Sequence, residues 1–67
     1  MRLLITQHAY NKMADRGIDE EQIKIAIIRG AKFKQTNGYL AIYTYIRVAY
    51  KKLGPDYYKI KTVIVED

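Results

Sequence analysis

Gly30-Ala31-Lys32-Phe33-Lys34-Gln35-Thr36-Asn37-Gly38 is the stretch in which the chain changes its period. Upstream, apolar residues recur every three or four positions, the spacing of one helical face. From Lys32 to Thr36 polar and apolar positions alternate instead, the mark of a half-buried strand. Asn37-Gly38 then supplies the strongest two-residue hairpin signal, because a type I′ turn needs positive φ at both positions. The chain is therefore expected to be helical before Gly30 and β-structured after it.

Working back from Gly30, Ile18-Asp19-Glu20-Glu21-Gln22-Ile23 is a dense helix start. Asp19 is the N-cap, Gln22 completes a capping box, and Ile18 and Ile23 are spaced for a hydrophobic staple. Glu20 and Glu21 stand at the positive end of the helix dipole and Arg29 at its negative end. A helix is expected over Glu20–Arg29, ended by Gly30, with Ile23, Ala26, Ile27 and Gly30 as its core stripe. Ile25 and Ile28 widen that stripe, so two packed sides are expected. An earlier helix runs over Gln7–Arg16 between an N-cap at Thr6 and a C-terminal stop at Gly17. Ala9, Tyr10, Met13 and Ala14 form its apolar side, while His8, Lys12 and Arg16 line up at i, i+4 and i+8. Met1–Ile5 reads as an apolar lead-in, extended or docked on the core.

Working forward, Tyr39–Leu53 is rich in tyrosine and β-branched residues. As one strand it would extend about 50 Å, more than the roughly 30 Å across so small a domain. A turn near Thr44–Ile46 is expected, although no Gly or Pro marks it. Gly54-Pro55-Asp56 is a turn, and Tyr57–Val65 a final strand. The expectation is a single α+β domain over 1–67, ααββββ, with a four-stranded antiparallel meander covered on one face by both helices.

At 67 residues the chain holds one marginal core. Absence of cysteine removes disulfides and thiolate metal sites, and a single histidine argues against zinc, so no metal and no cofactor are expected. Size alone makes a homodimer or a tight partner plausible. No apolar run reaches the roughly 20 residues that span a bilayer, and Leu3–Ile5 is too short for a signal peptide. The expected compartment is the cytoplasm. A net charge of +5 and a pI near 9.6 favour a polyanionic partner, nucleic acid or an acidic protein. From Arg29 to Lys61 eight cations face one acid, Asp56, with tyrosines between them. Aromatic rings interleaved with cations point to unpaired RNA bases.

His8-Ala9-x-x-Lys12-Met13-x-x-Arg16-Gly17-Ile18, with Thr62-Val63-Ile64 in the last strand, resembles a small prokaryotic domain family of unknown function. Its members carry H-A-x-x-R-M-x-x-R-G-I and a T-V-I/Y element. That family is similar in element order to RelE-type toxins and, more broadly, to barnase-like ribonucleases. The resemblance implies a messenger-RNA endonuclease of a toxin–antitoxin pair, acting on single-stranded or ribosome-bound RNA and silenced by a cognate antitoxin. Lys12 stands where arginine is usual, which keeps the charge and loses the bidentate fork.

Metal-free RNA cleavage needs a base for the 2′-hydroxyl, an acid for the leaving 5′-oxygen and cations on the phosphoryl oxygens. His8 is the one histidine that can serve as acid or base. Arg16 and Arg47 are the expected phosphate-stabilising partners in a catalytic set. Lys12, Lys51, Lys59, Lys61 and Tyr50 are the expected RNA-binding residues. A structural reading stands beside each: His8 bonded to nearby backbone, Lys12 and Arg16 merely solvated, the strand cations blunting an edge. The rival functions are a non-catalytic nucleic-acid-binding module and a basic protein–protein interaction domain.

Overall fold

The computed structural model describes residues 1–66 and orders the elements β1 (Arg2–Ile5), α1 (Gln7–Arg16), α2 (Glu20–Arg29), β2 (Ala31–Gln35), β3 (Gly38–Tyr43), β4 (Ile46–Gly54) and β5 (Tyr57–Val65). Both helices fall on the expected residues because both ends of each are chemically marked. Thr6 Oγ1 accepts from the Ala9 amide at 3.1 Å, and Gly17 stops α1 in the left-handed region at φ 67°. Asp19 and Gln22 close the capping box through two bonds of 2.9 Å. Ile18 and Ile23, the staple pair, are both buried.

The sheet departs from the expected four antiparallel strands. It has five strands in the order β1-β5-β4-β3-β2, and a strand, not a helix, comes first. β1 runs parallel to β5, with Leu3 opposite Tyr58 and Ile5 opposite Ile60, so the sheet is mixed. The lead-in residues alternate exposed and half-buried, which is the strand pattern. Four residues are too few to show that period in sequence, and the partner lies more than 50 residues downstream. β2 to β5 do form the expected antiparallel meander.

The turn inside Tyr39–Leu53 falls at Thr44-Tyr45, where Thr44 takes φ 54° without a glycine. The molecule's extents of 29 × 23 × 21 Å are what forbid a single strand there. The first hairpin differs from the type I′ expectation. Gln35 pairs with Gly38, so its loop is Thr36-Asn37, and among the described residues only Thr44 and glycines have positive φ. Gly38 answers a different need: a Cβ there would overlap the Tyr50 carbonyl oxygen. It lets the hairpin close down on β4.

Ala9, Met13, Ile18, Ile23, Ala26 and Ile27 pack on Ala41, Ile46, Val48, Tyr50, Ile60 and Val63. Tyr10, Ala14 and Ile28 are exposed, so each helix buries a narrower stripe than its apolar residues promised. On α2, of the two residues that widen the stripe, Ile25 is half-buried and Ile28 exposed. Among the described residues none covers the sheet face away from the helices.

Candidate functional site

Alternation sorts the strand cations. In β4, Ile46, Val48 and Tyr50 are buried, so Arg47, Ala49 and Lys51 point to the open face. Their partners on β5 share that face: Ile64 opposite Arg47, Thr62 opposite Ala49, and Lys59 opposite Lys51. β5 carries an extra residue at Lys61, where the register slips between Ala49 and Tyr50. From that bulge Lys61 donates through Nζ to the Asn37 carbonyl at 2.7 Å, tying β5 to the first hairpin. Arg2, opposite Tyr57, stacks its guanidinium 4.5 Å from that ring's centroid on the same face. The open face is thus a basic surface with apolar neighbours, Leu4, Phe33 and Ile64 being exposed on it.

His8 reaches the rim of this face. β1 covers β5 only as far as Ile60, and α1 takes over along the remaining edge. Thr6 fixes the changeover, its hydroxyl lying 3.0 Å from the Ile60 carbonyl and 3.2 Å from that of Lys61. Two residues later, His8 Nε2 and Thr62 Oγ1 share a hydrogen bond of 3.0 Å, either donating according to the imidazole tautomer. Thr62 and Arg47 occupy neighbouring rows, about 7 Å apart along the strands. Arg47 pairs with Glu66 at 3.3 Å, and its Nε lies buried without an acceptor among the described residues. An exposed pair of this kind contributes about 0–1 kcal/mol, so a phosphate can displace the carboxylate.

The expected residues do not all converge. His8, Arg47, Lys51, Lys59 and Lys61 share the open face or its rim. Lys12 and Arg16 are exposed on α1 with no hydrogen bond or ion pair among the described residues. Eight residues along a helix separate His8 from Arg16 by about 12 Å, so Arg16 lies apart from the His8–Arg47 corner. Tyr50 is not a stacking platform. It is 4% exposed, stacked on Tyr39 at 5.6 Å and met edge-on by Tyr58 at 5.7 Å. Burial, then the neighbouring phenols of Tyr58 and Tyr39, push its hydroxyl above the usual 10.0. Tyr39 is the exposed ring of that row.

Two groups escaped the sequence reading. Thr62 was visible only as part of the T-V-I element, with nothing local to pair it with His8. Lys34 and Lys52 carried no signal beyond charge, yet they line a hollow of about 300 Å³ beside Tyr39 and Lys51. Among the described residues no cluster of His, Asp or Glu is placed to hold a metal. Among the described residues no helix is long and apolar enough to cross a membrane.

A domain of unknown function, DUF4258, matches residues 5–65. The chain belongs to this family. No curated protein and no solved structure matches it. In this DUF4258 domain the residues of the N-terminal motif divide cleanly. Ala9, Met13 and Ile18 are buried and Gly17 caps α1, so packing and backbone geometry account for them. His8, Lys12 and Arg16 are left on the surface, where packing asks for none of them.

Proposed function

We propose that this DUF4258 domain is an RNA-directed toxin, a metal-independent endoribonuclease that contacts its substrate through the open face of the sheet. The observation that carries the reading is the delivery of the chain's one histidine, through Thr62, to the rim of a face holding Arg47, Lys51, Lys59 and Lys61. The reaction is attack of a 2′-oxygen on the adjacent phosphorus with departure of the 5′-oxygen. The base takes the 2′-hydroxyl proton and the acid returns one to the 5′-oxygen. His8 fills one of these roles, with Thr62 fixing its ring. Arg47 offers its partly used fork to the phosphoryl oxygens, and the lysines hold flanking phosphates. The family that the His8–Ile18 motif resembles is in turn similar to RelE-type toxins, and this supports the same class, with an acidic antitoxin covering the basic face.

The test is cleavage of a labelled messenger RNA by purified protein, with and without ribosomes. His8→Ala is expected to lower the rate by about 10²-fold or more, the usual share of one acid–base group. Intact RNA under every condition overturns the reading. The His8–Thr62 bond favours one alternative, a non-catalytic RNA-binding module in which His8 only anchors α1. In that case affinity falls steeply with salt and His8→Ala leaves it unchanged.

A further inference from the structure

The hollow beside the first hairpin is built by three separate features. Gly38 lets the Thr36-Asn37 loop close on β4, since any Cβ would meet the Tyr50 carbonyl. Lys61 tethers that loop by its bond to the Asn37 carbonyl. Tyr39, backed by Tyr50, walls one side. Lys34, Lys51 and Lys52 line the resulting space, and no acid does. None of these lysines, nor Lys61, has an ion-pair partner among the described residues.

Edge protection explains lysines on β2, which is the outermost strand. Lys51 and Lys52 carry β4 past its last pair with β3, Tyr39–Tyr50, and are paired to β5 alone, but edge protection does not ask for three lysines around one hollow. Gathering like charges in one place is unfavourable unless a counter-charge arrives. A phosphate ester supplies that charge, and ammonium groups take it as point charges. At about 300 Å³ the space is at the lower end of ligand sites, near the size of one nucleotide unit. Lys51 lines the hollow from the open face, while Lys34, Tyr39 and Lys52 line it from the side of Tyr50.

We propose that the hollow between the Thr36-Asn37 loop and the end of β4 is a nucleotide-phosphate subsite. Lys34, Lys51 and Lys52 hold the phosphate and Tyr39 lies against the attached base or sugar. That the phosphate belongs to an RNA strand rests on the RNA-directed reading above; the phosphate chemistry does not. The experiment is an amide chemical-shift titration of the protein with a short 2′-O-methyl RNA, which binds but has no free 2′-hydroxyl to react. Inorganic phosphate and a nucleoside monophosphate serve as parallel probes.

Shifts centred on Gly38, Tyr39, Lys51 and Lys52 are expected with the RNA. Lys34→Gln/Lys52→Gln is expected to weaken RNA binding at least tenfold and to reduce the salt slope by about 0.7, one phosphate on a single strand. Lys24→Gln/Arg29→Gln, which removes two cations on α2, is expected to leave binding near wild type. RNA shifts confined to the rest of the open face, with the double variant binding as wild type, overturn the subsite and leave the RNA reading standing. Shifts in the hollow with the monophosphate or inorganic phosphate but not with RNA support the phosphate site and sink its assignment to a strand. No shifts there with any probe sink both parts. Because the RNA cannot be cleaved, failure of the nuclease chemistry does not enter the result.

Discussion

Tyr50 shows how one residue can pass from candidate ligand contact to structural element. Its ring closes the core between Tyr39 and Tyr58, and burial raises the pKa of its hydroxyl. The ionised form is therefore less favourable folded than unfolded. Stability from this group is intact below the unfolded value near 10 and is lost as pH rises through the folded value. Denaturant midpoints measured at about pH 8 and about pH 11 are expected to fall towards the alkaline side. Tyr50→Phe, which keeps the ring and removes the proton, is expected to flatten that fall. His8 is the converse case. Its place on the helix surface was legible from spacing, but its partner Thr62 lies 54 residues away and no local pattern connects them.

At the scale of elements, α1 and α2 carry caps of different weight. Asp19 and Gln22 satisfy each other within four residues, a closed local device. Thr6 caps α1 and also reaches the Ile60 and Lys61 carbonyls, joining helix, β1 and β5 at one hydroxyl. Loss of an ordinary N-cap costs about 1 kcal/mol, up to about 2 in demanding contexts. In chemical denaturation Thr6→Ala is expected at the upper end of that range and Asp19→Ala near its middle. Equal losses would show that the contacts to β5 add nothing. Helix bounds were readable in advance because caps are local chemistry. β1 was not, since a four-residue parallel strand exists only through a partner at the other end of the chain.

For the whole molecule, stability of about 0.05–0.15 kcal/mol per residue gives a margin of only several kcal/mol. Ile60 is fully buried, facing Tyr50 on one neighbour and Ile5 on the other. Ile60→Ala is expected to remove about 2–5 kcal/mol, most of the margin, whereas Ile64→Ala on the open face changes stability by about 0.5 kcal/mol. Calorimetry on the two variants checks the contrast, and similar melting points would mean that the open face is covered in solution. By itself the sequence determined two capped helices, a change to β structure at Gly30, the strand meander and a strong positive charge. Each of these rests on neighbours within a few residues, where propensity, capping and alternation act. Only the tertiary structure decided that the chain begins with a strand, that Thr62 holds His8, that Tyr50 is buried and that Lys34 and Lys52 share a hollow. Those facts depend on which distant segments meet, and that is set by burying one small core between the two helices and one face of the sheet.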